Sequence, residues 1–454
     1  MKKNARYGLC CLIMILMLCG ISGCEKYLQE KPDVKLATPS RIADLQALLD
    51  NRTTLNEREP TAVLTVADGY SLSQQNYMAL EESDRNKYTW APANQFTPGG
   101  NNDWVLVYGQ VYTANVVLDY LPELISINIS QTNDVKGQAL LIRSKAFLQA
   151  MTIWAMPYHP STSTTELGVP LRLNTNFNIP SVRASVEQCY QQIIKDLKES
   201  ASLLPAVSVH PLRPSKPAAY GFLARAFLAM GKADSCLKYS DLALGYKNVL
   251  LDYNGDSGIN AAAQYPFARF NAEVVYDTYM GHPLSISSGI IDPALYASYQ
   301  DNDLRKQLFF RGAGIIGYFK GSYEGTFNLF NGIATDELWL MKAESSARIG
   351  KVAEAVTAIN TLLIKRYRTG TYMPLVTSDA DIALDFILKE RRKQLVFRGL
   401  RWMDMRRFGV EGKGQLTKRT VNDREYVLTQ RDRAFALAIP EDIILVSGMQ
   451  QNMR

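Results

Sequence analysis

Asp385-Phe386-Ile387-Leu388-Lys389-Glu390-Arg391-Arg392-Lys393-Gln394-Leu395-Val396-Phe397-Arg398-Gly399-Leu400-Arg401-Trp402-Met403-Asp404-Met405-Arg406-Arg407-Phe408-Gly409 is the stretch that decides how this 454-residue chain folds. Leu384, Leu388 and Leu395 share one helical face with the charged run 389–393 beside them, so the spacing predicts an amphipathic helix up to Gly399 as its C′ residue. Asp385 with Lys389, and Glu390 with Lys393, have the spacing of pairs on a helix surface, and Trp402–Arg407 reads as one further short turn. No catalytic logic is visible in it. Its charges are expected to pair with the chain around them, which makes it a structural clasp.

Upstream, a repeat appears. Tyr220-x2-Leu223-Ala224-x2-Phe227 leads to Gly231 and then Cys236-x3-Ser240-x2-Ala243, and Trp339-x2-Lys342-Ala343-x2-Ser346 leads to Gly350 and Ala355-x3-Ile359-x2-Leu362. Alanine to glycine is seven residues in both, and the offsets fit the tetratricopeptide template of paired helices. Other helices are expected from Ser40 to about Asp50, over Trp104–Leu118, over Ala139–Met156 with Pro157 as its stop, and from Val186 to Leu204 with Ser185 as cap. Helical hairpins therefore fall near 104–157, 185–245 and 336–368. Leu167–Leu171 reads as an extended segment.

Between these lie two irregular regions, 51–101 and 248–335. The first loses periodicity and carries Tyr70, Tyr77, Tyr88, Trp90 and Phe96 among Asp68, Asn76, Asp84 and Asn94; the second holds Tyr296, Tyr299, Phe309, Phe310, Tyr318, Phe319, Tyr323, Phe327 and Phe330. Exposed rings beside amides and carboxylates can take a sugar face or another planar ligand. Packing the loop against the scaffold is the competing role for any one of them.

Composition is that of a globular chain, with 47% hydrophobic and 21% charged residues. The formal charge of +6 falls to +3 once Lys2, Lys3 and Arg6 are counted with a leader, too little to argue for nucleic acid or a polybasic membrane surface. Four of the six cysteines lie in the first 24 residues; Cys189 and Cys236 sit in helical patterns and read as buried thiols rather than a disulfide. The three histidines are far apart, which argues against a transition-metal site, and no cofactor is expected.

Residues 1–23 combine Lys2, Lys3 and Arg6 with a short apolar run, Leu9–Cys19, and describe an export signal rather than a membrane-spanning helix. Ile21-Ser22-Gly23-Cys24 resembles a bacterial lipobox, which implies that Cys24 is acylated and starts the mature chain, with 24–36 as a polar tether. The protein would then be anchored to a membrane without spanning it.

Glu390-Arg391-Arg392-x-x-Leu395-x-Phe397-x-Gly399-x-Arg401-Trp402-x-Asp404-x-Arg406-Arg407 resembles the C-terminal signature of the SusD/RagB family of nutrient-binding outer-membrane lipoproteins. The Cys24–Pro32 start, Leu167-Gly168-Val169-Pro170, Asp303-Leu304-Arg305, Glu337-x2-Leu340-Met341-x-Ala343-Glu344 and the ending Ile439-Pro440…Gln451-Asn452 extend the likeness; Asp442-Ile443 departs from the family's usual glutamate. The resemblance implies a mainly helical fold, residues 37–454, with tetratricopeptide-like repeats and loop-rich, ligand-binding insertions. It also implies a non-enzymatic, surface-exposed outer-membrane lipoprotein that captures oligosaccharides and passes them to a SusC-like TonB-dependent transporter. A peptide ligand or a glycoside hydrolase are the alternatives. The ring and amide content of the irregular regions selects Trp90, Tyr70, Tyr77, Asn94, Tyr296 and Tyr323 as the expected ligand surface, with no catalytic or metal-binding residue.

Two other motifs compete. Gly312-Ala313-Gly314-Ile315-Ile316-Gly317, with Asp336 or Glu337 further on, satisfies a dinucleotide fingerprint, but two glycines follow too soon for the helix it requires. Glu81, Glu82 and Asp84, or Asp301 and Asp303, could supply the two carboxylates of glycoside hydrolysis, although adjacent loop acids are more often solvated. A pure protein-docking scaffold is compatible with ligand-binding loops.

Overall fold

The computed structural model describes residues 38–100, 102–124, 128–311 and 318–453, and the chain divides into residues 1–41 and a large unit, Ile42–Arg454. Cys24, the leader and the tether lie outside the described residues, as does the Gly312–Gly317 fingerprint. The large unit is mainly helical. Its longer helices are α1 (Ile42–Leu49), α2 (Asp103–Tyr120), α3 (Ile129–Trp154), α4 (Val186–Leu203), α5 (Lys216–Ala229), α6 (Ala233–Tyr246), α7 (Thr335–Arg348), α8 (Val352–Leu363), α9 (Ala380–Gln394) and α10 (Arg401–Val410), followed by a short α11 (Glu441–Ser447).

Local chemistry starts and stops these helices. Asn102 caps α2 by accepting from Val105 N–H, and Ser185 and Gln188 form a reciprocal capping box at the head of α4. The hairpins α5–α6 and α7–α8 turn at Gly231 and Gly350, whose φ values of 69° and 79° are left-handed and suit glycine. Each helix then packs on its neighbour, α2 on α3, α3 on α4, and so on to α6, and α6 packs directly on α7. The ladder is thus continuous although the 248–335 insertion interrupts it in sequence.

Three apolar clusters fill the unit. Leu45, Val117 and Ile142 join α1, α2 and α3; Leu340, Ile359 and Ile387 join α7, α8 and α9; the largest runs from α3 through α5 to the irregular segments. Cys189 and Cys236 are buried free thiols, and burial pushes them up to about 11 and about 12. Among the described residues no helix is long and apolar enough to cross a membrane, and no histidine, cysteine or carboxylate group clusters as a metal site would.

Several expectations are corrected. α3 begins at Ile129, ahead of the expected Ala139, and the 51–101 region holds four short helices, Arg52–Leu55, Ala62–Thr65, Gln74–Met78 and Glu82–Tyr88. α9 ends at Gln394, before Gly399, because Leu395, Val396, Phe397 and Leu400 are all wanted in the core. A tight turn with positive φ at Phe397 and Gly399 buries them and folds α10, a ten-residue helix rather than a single turn, back against the short Ala62–Thr65 helix and α5. An antiparallel hairpin, Thr417–Val421 with Arg424–Leu428, turns through Asn422 and Asp423, both at positive φ.

The clasp itself is mostly buried. Arg407 binds Glu344 through both terminal nitrogens and donates through Nε to Asp404 at 2.9 Å, which also accepts from Arg391 Nε at 3.0 Å. Glu390 accepts from Arg305 at 2.6 Å and pairs with Lys393 at 3.0 Å, while Arg398 and Gln394 both reach Asp336. The expected Asp385–Lys389 pair forms at 2.6 Å on the exposed side. Burial raises the Glu344 carboxyl, yet Arg407 and then Arg348 outweigh it and hold the group down to about 2.

Two outcomes follow from Glu344. Glu344→Ala strands Arg407 in the core and is expected to cost about 3–5 kcal/mol in urea unfolding. Because its folded pKa is depressed, its contribution is complete above the ordinary carboxylate range and lost as pH falls toward 2; in Glu344→Gln, the part of the acid destabilisation due to this group should vanish from the melting curve.

Candidate ligand-binding site

The rings of the two irregular regions are largely spent on buried arginines. Arg419, from the C-terminal hairpin, stacks on Tyr88 at 3.9 Å, Trp90 at 4.5 Å and Tyr70 at 5.6 Å, and donates to the Thr65, Ala67 and Tyr88 carbonyls. Tyr70 and Trp90 are 4% and 7% exposed, and their polar atoms donate to Thr65 O and Val66 O. Tyr323 is 1% exposed, donates to Glu273 at 2.7 Å and carries Arg398 over its ring at 4.7 Å. These three expected ligand contacts are corrected: a ring closed on both faces by guanidinium and core offers no face to a sugar.

The other three remain at the surface. Tyr77 is half-buried against Tyr88, Tyr296 is half-buried against Phe310, and Asn94 is exposed, its backbone N–H donating to Glu441 at 2.7 Å. Among the described residues no ring contact links Tyr77 with Tyr296. Of the competing carboxylates, Asp301 pairs with Lys306, Asp84 with Lys87 and Asp303 with the buried Arg305, while Glu81 and Glu82 are exposed. The strands flanking 312–317, Phe310–Arg311 and Tyr318–Phe319, pair as a hairpin, which is not the strand-to-helix frame of a dinucleotide site.

A different surface has the geometry of a ring platform. Trp104, Tyr108 and Tyr112 follow one another at four-residue spacing along one face of α2 and border a groove of about 510 Å³, closed on the far side by the 170–181 segment and by α11. Trp104 and Tyr108 stack at 4.5 Å, and Tyr112 stacks with Phe177 at 5.4 Å. Tyr112 is 44% and Phe177 78% exposed, so this second pair presents aromatic surface to solvent.

The far wall is held in place from behind. Asn115 donates to Arg172 O at 2.8 Å and accepts from Arg143, which grips Asp196 with two bonds of 2.8 and 3.0 Å. Thr175 donates from both N–H and Oγ1 to Asp119 at 2.8 Å, and the Arg172 guanidinium is folded onto the Asn176 and Ile179 carbonyls. Tyr108 donates to Pro170 O at 3.0 Å, and burial pushes its hydroxyl well above the ordinary range, so it stays a neutral donor. Asn174 and Ser181 add polar side chains to the rim. Among the described residues no carboxylate, histidine or cysteine lines this groove, whose side chains can stack and hydrogen-bond a ligand.

Sequence reasoning missed Tyr112 and Phe177. The Trp104-x3-Tyr108-x3-Tyr112 stripe carries a signal, but its spacing predicts only a helix over Trp104–Leu118, and Phe177 stands alone among polar residues. If the buried rings are packing residues, Trp90→Ala should cost about 3–5 kcal/mol in chemical denaturation and leave ligand affinity unchanged in whatever fraction stays folded.

Residues 26–228 match the family described as starch-binding and associating with the outer membrane, and residues 336–440 match the SusD family, together well over half of the chain. Among solved structures, a putative sugar-binding protein from Bacteroides vulgatus superposes with a TM-score of 0.71 at 20% identity, over 92% of this chain and 99% of that one. A SusD superfamily protein from Bacteroides thetaiotaomicron gives 0.70 at 20% identity, over 91% and 100%. A laminarin-binding SusD-like protein gives 0.64 at 16% identity, over 90% and 98%. No curated protein matches the sequence significantly. The two family matches, the helical ladder and the shared fold agree with the signature at 390–407, and the chain belongs to the SusD/RagB family.

Proposed function

We propose that this protein is a glycan-binding lipoprotein of the outer membrane that captures oligosaccharides at the cell surface and hands them, unhydrolysed, to a SusC-like TonB-dependent transporter. The observation that carries the binding role is the groove with two stacked ring pairs, one of them solvent-exposed, against a wall of fixed amides and carbonyls. Sugar faces stack on rings, and their hydroxyls both donate and accept, so a ring wall opposite a polar wall suits them. The description of the matching family and the printed names of two neighbours, a sugar binder and a laminarin binder, support the ligand class. Tyr77, Asn94 and Tyr296 stay available as further contacts on the irregular regions.

A peptide ligand is the second reading. It is favoured by Ile179, Val446 and Met449 in the same groove and by Leu445 and Val446, which are 86% and 88% exposed on α11. The anchor would be Cys24, and the transporter a partner docked on the extracellular side.

Calorimetric titration of the purified protein with panels of oligosaccharides and peptides tests the site. Tyr112→Ala combined with Phe177→Ala is expected to weaken glycan binding at the groove about tenfold or more, and an unchanged affinity there would place the ligand elsewhere. Chromatography after long incubation should recover the glycan intact; shortened products would reinstate hydrolysis. Cys24→Ala should lose both palmitate labelling and the membrane fraction, and retained labelling would sink the anchor. Co-purification from detergent-solubilised outer membrane checks the transporter.

A further inference from the structure

The groove along α2 differs from one end to the other. Thr175 on Asp119, Asn115 on Arg172 O and Phe177 on Tyr112 tie the 172–177 loop to the C-terminal half of the helix. α11 is tied to the N-terminal half, since Glu441 and Asp442 accept from the N–H groups of Asn94 and Gly99, in the segment that leads into the Asn102 cap of α2. Arg183, just past Ser181, donates to Gln450 O at 2.9 Å and so brings the end of the 170–181 segment beside Met449. One end of the groove therefore carries Asn174, Thr175 and the open Tyr112–Phe177 pair, and the other carries Tyr108 with Ile179, Val446 and Met449. We propose that the groove is built for an amphiphilic glycan, a short saccharide bearing an alkyl, acyl or aryl group, with the sugar on Tyr112 and Phe177 and the apolar group against Tyr108 and α11. The proposal rests on the reading of the groove as a glycan site and adds what the sugar must carry.

A bare saccharide fits only the first of these ends. Sugar hydroxyls laid against Ile179, Val446 and Met449 would leave water and meet no donor or acceptor, which is costly. An apolar group in the same place removes hydrocarbon from water on both sides. The surface to be covered is open: Val446 is 88% and Ile179 46% exposed, and Leu445 at 86% continues the apolar face of α11. Trp104 and Tyr112 lie about 12 Å apart along the helix, so one short ligand spans both ends.

The polar end favours a sugar over a peptide as the other half of the ligand. Among the described residues that line the groove, Arg172 is the only charged one, and its guanidinium is folded onto the Asn176 and Ile179 carbonyls. A peptide ammonium would find no carboxylate there. Asn174, Thr175 and Ser181 are short and neutral, and they donate or accept as hydroxyls do.

Calorimetry of the full-length protein with the methyl, butyl and hexyl glycosides of maltose, cellobiose and laminaribiose tests this, with hexanol and acetyl-leucyl-valine amide as competing probes. In at least one disaccharide series the hexyl glycoside is expected to bind about tenfold or more tightly than the methyl glycoside. Val446→Ser, a change at an exposed side chain, should cut that gain to about threefold or less, and Tyr112→Ala/Phe177→Ala should weaken every member of the series. Val209→Ser, at an exposed valine outside the groove, should leave the series as in the wild type. Methyl glycosides that bind with no gain from longer tails overturn this proposal and leave the glycan reading standing. A gain that survives Val446→Ser in full, or is lost equally in Val209→Ser, also overturns it alone. Affinities unchanged in Tyr112→Ala/Phe177→Ala overturn both readings of the groove, as does hexanol or the peptide amide binding more tightly than every glycoside. If no glycoside binds the wild type, both fall.

Discussion

The structure depends on giving each buried arginine of the C-terminal third a partner. Arg391, Arg398, Arg406 and Arg407 are all nearly inaccessible, and each is tied to a carboxylate or a carbonyl from another part of the chain: Asp404, Asp336, the 151–155 carbonyls and Glu344. Arg366 and Arg305 do the same with Glu273 and Glu390. Such pairs add little net stability, because desolvation offsets the attraction, but breaking one is expensive. Their effect is to fix which segments meet. A helix that slid by one residue along α7 would keep much of its apolar contact and lose the pairings to Asp336 and Glu344.

The same arginines account for the ring-rich segments. Tyr70, Tyr88 and Trp90 enclose Arg419; Tyr323 and Phe330 carry Arg398; Tyr253 carries Arg366 at 4.1 Å. Cation–π contact lets a weakly hydrated guanidinium enter a core that could not otherwise solvate it. In these irregular regions aromatic content therefore reports mainly where arginines are buried, and only secondarily where a ligand could lie.

This explains what could be read in the sequence. The helical ladder was legible because its signals are local: the 3.6-residue period of α2 and α4, the Ser185 cap, and glycines seven residues after Ala224 and Ala343. The end of α9 was not, since the pull of Leu395–Leu400 into the core comes from residues far away in the chain. The candidate site was harder still. Trp104, Tyr108 and Tyr112 look identical in spacing, but Trp104 is buried against Trp154 in the core, whereas Tyr112 stacks on the exposed Phe177 and stays open. Burial of an aromatic stripe is a property of its neighbours.

The direct packing of α6 on α7 has a consequence for how this protein can change. The 248–335 insertion leaves and re-enters the ladder at adjoining helices, so its length is nearly free of thermodynamic constraint from the scaffold, loop closure growing only slowly with chain length. What is not free are its anchors, Glu273, Asp303 and Arg305, which are sewn into the buried charge network. Beside those stitches Tyr276, Met280, Tyr299, Phe310 and Tyr323 are core residues too, so changes in length are confined to exposed stretches such as 254–264. The scaffold thus tolerates a long detour in the chain at one seam, provided that the detour brings its own core residues and charge partners back to the helices.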